Sequence, residues 1–188
     1  MAPLQGLKGW LAEAEQIDKA VYAAVAETPT PRLDGTMRRL SSAANYSKLS
    51  IASSAVLVLA GGPAGRRAAC TGLASVATTS AFVNLIVKRI GRRHRPDRAL
   101  GGVPQARHVP MPTSTSFPSG HSAAAVAFAS GASAELPGAA VPLFALAATV
   151  AYSRVHTGVH YPGDVIAGAT IGAVIAELTT GAISRSSR

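Results

Sequence analysis

The sequence predicts an all-α integral membrane helical bundle of about five transmembrane helices, preceded by N-terminal amphipathic interfacial helices. Three observations carry this. Of the 188 residues 48% are hydrophobic and only 14% charged, with a mean hydropathy of +0.26, a balance that favours lipid over water as the surrounding solvent. Several uncharged runs approach the roughly 20 residues an α-helix needs to span a hydrocarbon layer. Those runs are rich in Ala, Gly, Ser and Thr, the small residues that let helix backbones approach closely within lipid. The length suits one domain, which composition divides into interfacial helices over 1–45, a membrane core over 46–182 and a tail over 183–188.

Along the chain, the opening Met-Ala-Pro-Leu-Gln-Gly-Leu-Lys lacks the basic region and apolar core of a cleavable signal peptide, so insertion is expected to use internal segments. Leu7 to Ala26 reads as an amphipathic helix, with Leu7, Leu11, Ile17 and Val21 at helical spacing and Lys8, Glu13, Glu15, Asp18 and Lys19 elsewhere. Pro29 and Pro31 end it. A second helix, Pro31 to about Ala44, sets Arg32, Arg38 and Arg39 beside Leu33, Met37 and Leu40, the composition of a helix at a headgroup surface. Trp10 reads as an interfacial anchor.

The membrane runs follow: Leu49 to Ala64, broken by Gly61-Gly62-Pro63; Ala68 to Val87; Ser122 to Leu136; Gly138 to Tyr152; and Val165 to Thr180. Between the second and third lies a stretch from Lys88 to Phe117, too rich in Pro, Gly and Arg for a regular element. On the last run Asp164, Gly168, Gly172 and Ala176 recur every fourth residue, a row suited to close packing. Cys70, the single cysteine, reads as a small buried hydrophobe. It permits neither an intrachain disulfide nor a thiolate metal cluster.

The formal charge of +9 could serve nucleic acid, an anionic membrane surface or an anionic substrate. Aromatic residues are scarce and not interleaved with the basic ones, which argues against nucleic acid and leaves the bilayer and an anionic lipid as partners. If the runs alternate across the membrane, the end of the second, the start of the third, the end of the fourth and the start of the fifth share one face, and each polar cluster of the sequence falls there. The clusters are Lys88-Arg89-Ile90-Gly91-Arg92-Arg93-His94-Arg95-Pro96, Phe117-Pro118-Ser119-Gly120-His121-Ser122, and Ser153-Arg154 through His160 to Asp164. The second opens a helix with backbone N–H groups, a hydroxyl and an imidazole near one point, an arrangement that favours an anion. In the third, Asp164 follows His160 by four residues, so a helical turn would bring carboxylate and ring together, and a His oriented by a carboxylate can act as base or nucleophile.

In order, these read Lys-x6-Arg-Pro, Pro-Ser-Gly-His and Ser-Arg-x5-His-x3-Asp, and the chain resembles the type 2 phosphatidic acid phosphatase family, related to bacterial non-specific acid phosphatases and vanadium haloperoxidases. The resemblance spans roughly residues 15 to 180. It implies a metal-independent, cofactor-free lipid phosphatase in which His160 is the nucleophile that becomes phosphohistidine, Asp164 holds it, and His121 protonates the leaving oxygen and then activates water. It likewise implies that Lys88, Arg95 and Arg154 clamp the phosphate oxygens, with Ser119 and the Gly120 amide adding hydrogen bonds. Phosphatidic acid, phosphatidylglycerol phosphate and polyprenyl phosphates or diphosphates are the implied substrates. The alternatives are a non-catalytic lipid-phosphate binding or transport protein and a vanadate-dependent haloperoxidase.

Arg89, Arg92, Arg93, His94, Arg98, Arg107 and His108 fall outside the motifs and read as headgroup contacts or solvated charge; His156, inside the third spacer, reads as a rim residue. All but four of the 18 Lys and Arg (Arg66, Arg67, Arg185 and Arg188) fall on the motif-bearing face. The positive-inside rule then places that face of a multi-pass cell-membrane protein in the cytoplasm, and the Ala, Gly and Arg richness suggests a bacterial source.

Overall fold

The structure, a computed structural model, describes residues 2–186, with side chains from Gly9 onward. Among these residues the regular structure is helical: α1 (Ala2–Glu27), α2 (Pro31–Ala43), α3 (Lys48–Ala60), α4 (Gly62–Phe82), the single turn α5 (Lys88–Ile90), α6 (Gly120–Glu135), α7 (Ala140–His156) and α8 (Pro162–Ser186). Helices α1 and α2 cover the two amphipathic stretches that the periodicity marks; the side chains of Leu7 and Lys8, and Arg188 of the tail, lie outside the described residues. The Gly-Gly-Pro break is a turn in which Gly62 takes φ +57°, a conformation open to a residue without Cβ, and Pro63 starts the next helix.

Among the described residues three helices are long and apolar enough to cross a membrane: Gly62–Ile90, Pro137–His156 and Pro162–Ser186. The first runs through α4, a π-helical turn over Val83–Val87, and α5. The other two expected spans are shorter helices, α3 at 13 residues and α6 at 16.

The bundle inverts the usual soluble arrangement. Its interior is filled by small residues: Ala68, Ala69, Ala129, Ala132 and Ala147 surround Phe128, and Ser75 and Thr79 are wholly buried. Large aliphatics such as Leu59, Leu85, Val141, Ile166 and Leu178 point outward, as they do when the solvent is lipid and tight backbone packing drives association. At the centre is α6, packed on α4, α7 and α8. The predicted small-residue row of α8 is its buried face, Asp164, Gly168, Gly172 and Ala176; a Cβ at Gly168 or Gly172 would meet the carbonyls of Ser119 or Ala123 on α6. This approach fixes Asp164 against the start of α6, where Ser119 N–H donates to the Asp164 carbonyl at 2.9 Å. Cys70 departs from expectation: it is exposed on α4, because the interior beside it is filled by Ala and Gly and the thiol falls on the outer face.

Helices α1 and α2 lie over the end of the bundle where α4–α5, α6, α7 and α8 bring their polar ends, contacting α7, α8 and the turn at Gln105–Arg107.

Candidate active site

Each motif residue sits at a helix end or on the loop that joins two ends. Lys88 follows the π-helical turn of α4, a local widening that re-aims the side chains after it and that recurs at functional sites. Ser119 caps α6, its Oγ accepting from Ser122 N–H at 3.4 Å and lying 2.9 Å from Ser122 Oγ. Its hydroxyl is therefore engaged by the helix start, with Gly120 and His121 the next residues into the site. Arg154 closes α7, and His160 lies in the loop before α8 with its backbone N–H on the Arg154 carbonyl at 3.2 Å. Asp164 is in the first turn of α8.

The structure brings these residues together. Arg95 Nη1 lies 3.1 Å from His160 Nε2 and donates to the Val159 carbonyl at 2.7 Å, while its Nε and Nη2 are held by the carbonyls of Ser114 and Thr115 and by Ser114 Oγ. A guanidinium can only donate, so His160 Nε2 presents its lone pair toward Arg95 and the ring hydrogen belongs on Nδ1. That Nδ1 lies 3.5 Å from Asp164 Oδ2, an ion-pair distance longer than a well-formed hydrogen bond. Asp164 takes three other donors: Ser116 Oγ at 2.5 Å and Tyr161 N–H at 2.9 Å on Oδ2, and Arg93 Nη1 at 3.0 Å on Oδ1. The His160 pKa is pushed down to about 4, chiefly by burial, with Arg95 and Arg154 adding to it against the pull of Asp164. The ring is thus neutral at neutral pH, the form a nitrogen nucleophile requires.

The other cations surround the same point. Lys88 Nζ bonds Ser114 Oγ at 3.2 Å, the hydroxyl that also holds Arg95. Arg154 is buried, its Nη1 on Ser41 Oγ at 2.6 Å and the Ser41 carbonyl at 3.1 Å, while its Nε has no protein partner. A buried guanidinium nitrogen without an acceptor costs on the order of 1–3 kcal/mol, a cost that an anion oxygen could relieve. His121 Nε2 lies 2.8 Å from Asn45 Oδ1. His121 lines a cavity of about 370 Å³ shared with Ser41, Asn45, Met111 and Arg154, and another of about 170 Å³ reaching toward α4 past Lys88, Asn84 and Thr79. Among the described residues no three of His, Cys, Asp and Glu assemble into a metal site.

Three residues read as solvated or peripheral are otherwise. Arg93 ion-pairs with Asp18 at 2.6 Å and Asp164 at 3.0 Å and stacks 4.2 Å from the Tyr161 ring centroid. Burial works against its charge, but the two carboxylates outweigh it and raise its pKa. Arg107 is only 1% exposed, with Nε on Asp34 at 2.9 Å and its Nη atoms on the carbonyls of Val25, Ala26 and Thr28 at the α1–α2 corner. His156 is no rim residue: it is buried, with Nε2 3.1 Å from the same Asp34 oxygen and Nδ1 3.3 Å from Tyr152 Oη. Apart from Tyr152, these partners lie 68 to 122 positions away in the chain, a separation that leaves no local pattern to read.

A family model described as the PAP2 superfamily matches residues 68–188. Among curated proteins, decaprenylphosphoryl-5-phosphoribose phosphatase of Mycobacterium tuberculosis is 38% identical over 108 residues, covering 53% of this chain and 55% of the relative. Lipid A 1-phosphatase of Rhizobium johnstonii is 36% identical over 110 residues, covering 56% and 43%. The chain spans about half the length of the curated relatives it matches. In fold it is similar to the crystal structure of a transmembrane PAP2 type phosphatidylglycerolphosphate phosphatase from Bacillus subtilis (TM-score 0.68, 24% identity, covering 92% of this chain and 87% of that one). It is similar also to LpxE of Aquifex aeolicus (TM-score 0.69, 23% identity, covering 85% and 92%).

Proposed function

The chain belongs to the PAP2 superfamily, and from that premise we propose that it is a membrane lipid phosphatase that hydrolyses a phosphomonoester or diphosphate of a lipid through a phosphohistidine. The observation that carries the reading is the environment of His160: a neutral ring with its Nε2 lone pair facing Arg95, its Nδ1 turned to Asp164, and the unpartnered Nε of Arg154 buried within the same site.

In this reading His160 Nε2 attacks the terminal phosphorus, the N–P bond forms, and the P–O bond to the leaving group, the lipid alcohol of a monoester or the lipid monophosphate of a diphosphate, breaks in line. His121 donates the proton to the departing oxygen, then takes one from the water that cleaves the N–P bond and releases inorganic phosphate. Lys88, Arg95 and Arg154 gather the non-bridging oxygens, where fixed cations stabilise the developing charge, and the Gly120 N–H adds a donor at the start of α6. Ser119 contributes by capping that helix and so holding Gly120 and His121 in place. Asp164 keeps the hydrogen on Nδ1 and stabilises the ring as it gains charge.

Phosphatidic acid, phosphatidylglycerol phosphate and polyprenyl phosphates or diphosphates are the substrates to test; the two curated relatives above are named for lipid-borne phosphates, which supports this class. We place residues 1–45 at the interface and 46–182 across the bilayer of a bacterial cell membrane, with α3 and α6 completing five crossings and the site on the cytoplasmic face. The charge distribution supports that face. Labelling of a Gln105→Cys, Cys70→Ser variant in intact cells by an impermeant thiol reagent would overturn it.

The deciding experiment is phosphate release by the purified protein in detergent with EDTA, beside His160→Ala. Release by the wild type that is absent from the variant supports the reading; release that survives the substitution removes His160 as nucleophile, and no release from any of these lipids removes the substrate class.

A further inference from the structure

Two groups that the proposed chemistry relies on, Arg154 and His121, each take a partner from the chain N-terminal to residue 46, outside the stretch the family model matches, and a third, Asp164, is tied to that segment through Arg93. Asp18 on α1 bonds Arg93 Nη2 at 2.6 Å, and Arg93 in turn holds Asp164; the other Asp18 oxygen accepts from Gly163 N–H at 2.6 Å, one residue before Asp164. Ser41 on α2, wholly buried, gives Arg154 both its Oγ and its carbonyl. Asn45 holds His121 Nε2 at 2.8 Å.

The segment is fastened as well as aimed. Asp34 on α2 is the common partner of Arg107 and His156, and Arg107 also ties the carbonyls of Val25 and Thr28. After Asn45, Tyr46 and Ser47 both adopt positive φ, 57° and 55°, the left-handed region that non-glycine residues rarely take and that costs on the order of 1–3 kcal/mol each. Such a turn persists only where surrounding contacts over-determine it, and here it lies beside the Asn45–His121 contact. With Asn45 Oδ1 accepting, the contact holds the Nε2–H tautomer of His121 and leaves Nδ1 to exchange the catalytic proton.

We propose that the N-terminal segment is the positioning half of the active site, with Asp18 acting through Arg93 on Asp164, Ser41 on Arg154 and Asn45 on His121. The inference rests on the phosphatase reading for the roles of those three groups. Its consequence is that seating α1 and α2 on the bundle end is a condition of turnover: the segment absent from the motifs sets the geometry of the motif residues.

The full-length protein in detergent tests this in two arms. In the first, ¹⁵N-histidine NMR follows the His121 ring across pH in wild type, Asn45→Ala and Asn45→Asp. The groups facing that ring, Lys88, Arg95, Arg154 and His160, are the same in all three. A carboxylate at position 45 moves the titration up and loss of the acceptor moves it down; coincident titrations overturn the proposal. In the second, orthovanadate, a phosphate analogue, is titrated into Ser41→Ala, Ser41→Thr and Asp18→Asn. Affinity falls about tenfold in Ser41→Ala and is restored in Ser41→Thr, whose hydroxyl remains; a loss that tracks a fall in Tm and that threonine does not restore overturns the Ser41 role.

Turnover adds a third measure. Asn45→Ala and Asp18→Asn lower kcat tenfold or more with KM within about twofold, whereas Glu15→Gln, in an exposed pair on α1, matches wild type. Unchanged kcat in both variants overturns the inference. A wild type that binds vanadate and shows the opposed His121 shifts but releases no phosphate sinks the phosphatase reading and leaves the positioning contacts standing.

Discussion

Arg95 Nη1 and His160 Nε2 stand 3.1 Å apart, a cation donating to the nitrogen proposed to attack phosphorus. The pair shows how the site balances its parts. Arg95 fixes which ring nitrogen bears the lone pair, and its remaining donors on Ser114, Thr115 and Val159 keep the guanidinium from drifting. Arg95→Ala is expected to lower kcat by about 100-fold or more, the usual cost of removing a preorganised donor at the reacting group. Arg95→Lys should recover little, because an ammonium cannot reproduce a fork that serves four residues. Steady-state phosphate release checks both.

The depressed pKa of His160 makes stability depend on pH. Its folded value of about 4 lies below the ordinary 6.5, so between these limits the unfolded chain binds more protons and stability rises with pH. The contribution is whole above about pH 6.5 and is lost as pH falls toward 4, on the order of 3 kcal/mol in all. Thermal unfolding in detergent from pH 7.5 to 4 should show Tm falling through this window, with a flatter profile in His160→Gln. Parallel profiles would contradict the assignment.

The buried cluster of Asp34, Arg107 and His156 calls for a different variant. Arg107→Ala strips Asp34 of its guanidinium and leaves a buried carboxylate with Thr30 and His156 alone. Breaking a buried pair from one side costs about 3–5 kcal/mol. A marked drop in Tm is the expected result; a change no larger than that of an exposed arginine, within about 0.5 kcal/mol, would show that the clamp carries little.

Packing between α6 and α8 gives a steric test. Gly172→Ala places a Cβ against the Ala123 backbone, which cannot move as a side chain could, and should destabilise by about 1–3 kcal/mol as the helices part. Gly138→Ala, with nothing within 4 Å of its Cβ, is the neutral comparison. Equal Tm values for the two would mean that the close approach is not limiting.

Much of the architecture was legible because it is local or periodic. The Gly-Gly-Pro break, the amphipathic helices and the row Asp164, Gly168, Gly172 and Ala176 all follow from spacing, and each appears in the structure where the pattern sets it. Convergence of the polar clusters followed from counting helix ends. The length of the crossings did not: apolarity alone does not tell a 16-residue helix such as α6, central in the packing, from one long enough to span by itself. Cys70 is exposed although cysteine is commonly buried, because in a lipid-facing bundle Ala and Gly take the interior and the thiol is turned out.

What the sequence determined by itself is the helical, membrane-type chain and the set of candidate groups, since short-range periodicity and motif order are written in neighbouring residues. What only the tertiary structure decided is which charges answer one another. Arg93 with Asp18 and Asp164, Arg107 and His156 with Asp34, Ser41 with Arg154 and Asn45 with His121 join positions far apart in the chain. A charged side chain looks the same in a sequence whether water or a buried partner receives it; burial makes an unpaired charge costly, and so selects the partner only once the chain has folded.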